Sequence, residues 1–153
     1  MMVDADNLKT VNDTYGHKAG DKLILTIAST IQDCLRTSDI ICRYGGDKFV
    51  ALLPQLPSYK AIETAERLRN AIENTSFDVD GKKVTTTVSI GIATYPDEVS
   101  IAEELLEKAD ETLYESKRAG RNTVISYAKL KPESKDKDNI EQQEFGLRSS
   151  DVT

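Results

Sequence analysis

The sequence predicts a mixed α/β domain, a sheet with helices packed on it. Three observations carry that expectation. β-prone runs and helical stripes alternate up to Tyr127, in the order strand, helices, hairpin, helix, hairpin, helix, strand. Apolar residues recur at helical spacing in three stretches: Ile24, Ile27, Ala28, Ile31 and Leu35; Ile62, Ala65, Leu68 and Ile72; Leu105 or Leu106, Ala109 and Leu113. Two glycine-bearing turns, Gly45-Gly46 and Asp80-Gly81, each separate β-prone runs.

Taken in order, Met1-Met2-Val3 closes a short strand that runs into Asp4. So short a strand in the middle of a sheet is expected to weaken the fold. Asp6 is placed to cap a short helix reaching Tyr15, with Gly16 as its stop. A longer helix is expected over 18–36. Ile40-Ile41-Cys42 and Val50-Ala51-Leu52-Leu53 flank Gly45-Gly46 and read as a hairpin, because a two-residue turn wants φ > 0 and glycine adopts it freely. The downstream run is apolar throughout, so that strand is expected to be covered on both faces. Pro54 and Pro57 bracket a loop, and Ser58 opens the next helix. Phe77-Asp78-Val79 should pair with one long strand over 84–93. Ser100 and Glu103 form a capping box for a helix that Gly120 ends, and the last strand is expected over 122–127. Residues 1–128 thus read as one domain. Residues 129–153 are polar and charged, and are expected to be a disordered tail.

Bulk properties narrow the function. The chain has 153 residues, long enough for one real core, with 39% hydrophobic and 30% charged residues. A net charge of −6 argues against a duplex DNA binder, which needs a basic face. No apolar run approaches bilayer length and no signal peptide opens the chain, which predicts a cytoplasmic protein. Cys34 and Cys42 are expected to be reduced and buried. A single histidine, His17, excludes a zinc site built from several histidines.

Several clusters have a chemical reading beside a plain one. Asp4 ends one strand and Asp47 follows a hairpin tip. If those strands are neighbours, both carboxylates reach one point and suit magnesium; otherwise they are solvated turn residues. Asn12, His17 and Asp21 sit around the first helical turns, where an amide and a carboxylate match a guanine edge, or simply end and cap helices. Lys117 and Arg121 either complement a helix dipole or clamp phosphates. Arg36 and Asp39 form either a helix-end ion pair or a fork for a guanine edge or phosphate.

The ordered set Asp4-Ala5-Asp6, Lys9, Asn12-Asp13, Gly16-His17, Gly20-Asp21, Arg43-Tyr44-Gly45-Gly46-Asp47, Ser89-Ile90-Gly91, Ala109-Asp110, Leu113-Tyr114, Lys117 and Gly120-Arg121-Asn122 closely resembles the GGDEF family of diguanylate cyclase domains. The resemblance implies a five-stranded central sheet like that of nucleotidyl cyclase palms, and a longer first strand with a helix before it. It implies condensation of two GTP into cyclic di-GMP with Mg2+, or Mn2+, across a homodimer, under an upstream sensor domain. Carried over by position, Asp4, the Ala5 carbonyl and Asp47 would hold metal, and Asp47 would also take the proton of the attacking hydroxyl. Asn12, His17, Asp21, Gly45, Gly46, Lys117 and Arg121 would bind GTP. Arg36 and Asp39, with Arg69 as a secondary contact, would bind cyclic di-GMP as an inhibitory site.

One position departs from the signature: the usual glutamate after Asp47 is Lys48. A pair of unit charges about 4 Å apart interacts by about 4 kcal/mol at an effective dielectric of about 20, so a lysine there can weaken cation binding severely. Its long stem can also swing to solvent or meet a phosphate oxygen. The alternative function is therefore a degenerate module that binds GTP or cyclic di-GMP without turnover.

Overall fold

The computed structural model describes residues 1–131. Five strands form the main sheet in the order β2-β3-β1-β6-β7, where β1 is Met2–Ala5, β2 Ile40–Gly45, β3 Lys48–Leu52, β6 Val88–Ile92 and β7 Val124–Ser126. All its pairings are antiparallel except β6 with β7. Between them lie α1 (Leu8–Tyr15), α2 (His17–Cys34), α3 (Ser58–Glu73), a separate hairpin of β4 (Ser76–Val79) and β5 (Lys82–Thr85), and α4 (Leu105–Arg118).

The alternation of strand side chains divides the core in two. Val3 and Ala5 of β1, Phe49 of β3, and Val88, Ile90 and Ile92 of β6 join Leu23, Ile27, Ile31, Ala65, Leu68 and Ile72 from α2 and α3. Met2 and Val50 point the other way, onto Ala109 and Leu113 of α4. The helical stripes read from sequence are therefore the faces that pack. Gly91 lets α4 lie directly on the sheet: a Cβ there would stand 2.3 Å from the Ala109 carbonyl oxygen and 2.3 Å from the Leu113 nitrogen.

β1 is short, as expected, and lies mid-sheet with every residue buried. Pairing continues back to Met1, whose amine donates to the Ala51 carbonyl at 2.8 Å. Burial pushes that amine down to about 6.

Five expectations need correction. The run over 84–93 is two strands, because Thr86 and Thr87 leave the β4 pairing before β6 enters the main sheet. β3 buries only Phe49 and Ala51 fully; Leu52 is exposed and β2 is an open edge. The hairpin loop is Gly46-Asp47 rather than Gly45-Gly46: a register shift between Arg43 and Gly45 takes up one residue, so Gly45 pairs with Lys48 and only Gly46 has positive φ. Neither Asp6 nor Ser100 makes a capping hydrogen bond, and a 3-10 turn over Ala102–Glu104 leads into α4. Both cysteines are free, but Cys42 is exposed on the edge strand and Cys34 only half-buried. The expectation for the polar tail lies almost wholly outside the described residues.

Candidate functional site

The site gathers at one end of the central strands. Asp4 of β1 is flanked by β3, and the Ala5 amide donates to the Asp47 carbonyl at 3.2 Å. That contact brings the hairpin loop over the end of β1, so Asp4 and Asp47 do converge. Asp4 is 4% exposed. Burial is the main force on its carboxyl and pushes it up. The Lys117 ammonium, 2.7 Å from Oδ2, pulls it back, and the neighbouring Asp47 carboxyl adds a further upward push, leaving Asp4 at about 6. Its other oxygen, Oδ1, is buried without a hydrogen-bond partner. A desolvated, half-satisfied carboxylate beside a second one fits a divalent cation, whose charge would offset the burial of Asp4 and its repulsion by Asp47. No cluster of three or more metal-ligating side chains occurs among the described residues, so the remaining ligands would be backbone, water or substrate oxygens.

Lys48 does not lie on these carboxylates. It reaches across to α4 and pairs with Asp110 at 3.1 Å. Arg43 clasps the hairpin tip, its Nε and Nη2 both donating to the Gly46 carbonyl, at 2.9 and 2.6 Å. The tip is exposed, and no atom would touch a Cβ at Gly45 or Gly46, so bare backbone faces solvent there.

Asn12 on α1 lies against Gly20 on α2, where a Cβ would fall 1.9 Å from its Oδ1. That oxygen is buried and unpartnered, an acceptor awaiting a donor. His17 opens α2 and is exposed, as is Asp21 one turn further on.

Lys117 ends α4 on Asp4, while Arg121 sits on the following corner. Gly120, Arg121 and Asn122 all have positive φ there, at 113°, 65° and 45°. Two of these are side-chain-bearing residues, so the corner is strained and needs anchors. Asp6 supplies one: its carboxylate accepts from Asn122 N at 3.0 Å, and from the Thr87 and Ser89 hydroxyls at 2.6 Å each. Arg69 and Glu73 of α3 supply another, holding the Asn122 amide at 2.8 and 2.9 Å. Sequence reading missed Asp6, Glu73 and Asn122 in this role. The cue was a pair of hydroxyls two residues apart, Thr87 just before β6 and Ser89 within it.

Arg36 and Asp39 form a tight pair at 2.8 Å, and Arg36 also donates to the Pro54 carbonyl at 3.1 Å. Burial alone would raise Asp39, but the Arg36 side chain and backbone amide outweigh it and hold the carboxyl below the usual range. Arg69 is not brought to this turn; Glu66, Asn70, Glu73 and Asn122 engage it at the other corner. The arginine that reaches the end of α2 is Arg67, donating to the Cys34 carbonyl at 2.8 Å.

Comparison with known proteins agrees with this fold. Residues 1–123 match the family described as diguanylate cyclase, GGDEF domain. Diguanylate cyclase A of Treponema denticola is 43% identical over 124 residues, covering 81% of this chain and 33% of that protein. Diguanylate cyclase DosC of Escherichia coli is 38% identical over 128 residues, covering 81% and 27%. The chain thus spans a third or less of the length of these relatives. Among solved structures, the GGDEF domain of DgcB from Caulobacter crescentus, in complex with c-di-GMP, superposes with a TM-score of 0.76 at 32% identity, over 83% of this chain and 75% of that one. The five-stranded mixed sheet flanked by helices is thus that of solved GGDEF domains, and the chain belongs to the GGDEF family of diguanylate cyclase domains.

Proposed function

We propose that this domain condenses two GTP into cyclic di-GMP and pyrophosphate. The observation that carries the reading is Asp4 Oδ1, buried and without a partner beside Asp47. Asp4, the Ala5 carbonyl and Asp47 would hold Mg2+ or Mn2+. When bound, that ion would supply positive charge to offset the charge that develops on the phosphates.

The chain's own groups do the rest. Asn12 offers its free carboxamide oxygen to the guanine edge, with Asp21 and His17 nearby along α2. The exposed backbone at Gly45 and Gly46 admits the phosphates closely. Lys117 leaves Asp4 for a phosphate oxygen once the carboxylate has another cation, and Arg121 completes the clamp. Asp47 accepts the proton of the 3′-hydroxyl as that oxygen bonds to the α-phosphorus of the second GTP and pyrophosphate departs. Each domain holds one GTP, so two domains must face each other, and an upstream sensor in a longer protein would control that encounter. Arg36 and Asp39 would take cyclic di-GMP as feedback inhibitor, with Arg67, which reaches the Cys34 carbonyl, as a candidate further contact. The test is turnover of GTP with Mg2+; product no greater than that of Asp47→Ala rules the cyclase out.

Lys48 favours a second reading, a binding module without turnover. Here Lys48→Glu would gain activity over wild type. Calorimetry with cyclic di-GMP on wild type and Arg36→Ala would show binding lost in the variant, and equal binding in both would reject it.

A further inference from the structure

Asp4 and Lys48 are directly opposed in the β1–β3 register and share the face that α4 covers. Opposed residues of an antiparallel pair have Cβ atoms about 5 Å apart, so a carboxylate and an ammonium placed this way are natural partners. They do not pair. Asp4 takes Lys117 at 2.7 Å and Lys48 takes Asp110 at 3.1 Å, both from α4. Asp110 and Lys117 are seven residues apart, two turns along the same helix face. The two charges of the sheet thus cross over to the two charges of the helix.

We propose that Asp110 is a positioning residue that parks Lys48 on α4 and so keeps Asp4 and Asp47 open to a divalent cation. Lys48 remains within the field of both carboxylates, so it has somewhere else to go. Asp4 Oδ1, left without a donor, is the vacancy it would fill. Gly91 supports the arrangement by seating α4 close enough for Asp110 to reach β3. On this reading the lysine in the signature is tolerated because the helix supplies its counter-charge.

The inference rests on the metal reading above, and the test separates the two. Mn2+ binding to the full chain is followed by the electron paramagnetic resonance of the free aquo ion, with no turnover needed. Lys48 and Asp110 are both partly exposed, so water screens their pairing and moderates the effect. Asp110→Asn is expected to weaken Mn2+ binding about three- to fivefold. In a Lys48→Ala background the same substitution should change it little, because no lysine remains to be released. An equal loss in both backgrounds, or none in wild type, overturns the inference while the metal reading stands. Mn2+ binding that Asp47→Ala leaves intact overturns both.

Discussion

Lys117 Nζ rests 2.7 Å from Asp4 Oδ2, so the domain carries its own cation where a metal is proposed to bind. Removing the lysine leaves a buried carboxylate uncompensated. Lys117→Met is expected to destabilise the protein by about 1–3 kcal/mol, the usual penalty for stranding a polar partner. The loss should shrink when Mg2+ and GTP are present, because another cation then serves Asp4. Urea denaturation with and without both ligands checks this; an unchanged loss would show that the ion does not reach Asp4.

Burial pushes the Asp4 carboxyl up from its ordinary value of 3.8 to about 6. Between those values the folded state binds the extra proton, so Asp4's contribution to stability falls as pH rises through the window and is lowest above about 6. Asp4→Asn removes this dependence. Its stability relative to wild type should therefore be more favourable at pH 7.5 than at pH 4.5, as read from paired denaturation curves at the two pH values.

Gly91→Ala would drive a methyl group into the backbone of α4 at two points. Backbone cannot rotate away as a side chain can. A loss of about 2–3 kcal/mol is expected from overpacking, visible as a lower denaturant midpoint with an unchanged slope. A neutral substitution would mean that α4 stands further from β6 than described.

Gly20→Ala is the milder counterpart. The added methyl meets the end of the Asn12 side chain, which can move. The fold should survive, while the free Asn12 oxygen is displaced. GTP affinity is expected to drop about fivefold, one hydrogen bond's share, by calorimetry in Ca2+ or another non-supporting ion.

Asp6→Ala would unpin three donors from a single carboxylate. About 2–3 kcal/mol of stability should be lost, since hydrogen bonds to charged groups are the stronger kind. Asp6→Asn, which keeps one acceptor oxygen, should recover part of it.

Legibility from sequence followed the range of the interaction. The faces of α2, α3 and α4 were readable because 3.6-residue periodicity is local, and Ile27, Leu68 and Leu113 proved fully buried. The approach of Asp4 to Asp47 was readable because neighbouring strands carry them; the contact of Lys117 with Asp4 was not, since the sequence paired that lysine with Arg121. Asp6 was misread, because a carboxylate before a helix looks like a cap until Thr87 and the start of β6 with Ser89 are laid beside it. The hairpin loop was displaced by one residue, since nothing near Tyr44 announces a register shift. Arg69 and Arg67 differ by two positions on one helix, about 200° around its axis. Only packing decides which one turns toward the Cys34 carbonyl and which toward Asn122.

The tie between Asp6 and Asn122 spans 116 residues. On a translating ribosome the first partner emerges early and waits for the second until almost the whole domain has left the exit tunnel. The arginine-bearing corner can take its shape only then. A nascent chain therefore sets this corner only once nearly all of the domain has been made, and a polypeptide cut short before Gly120 would carry Asp4, Asp47 and Lys117 without Arg121 or the Asn122 anchor.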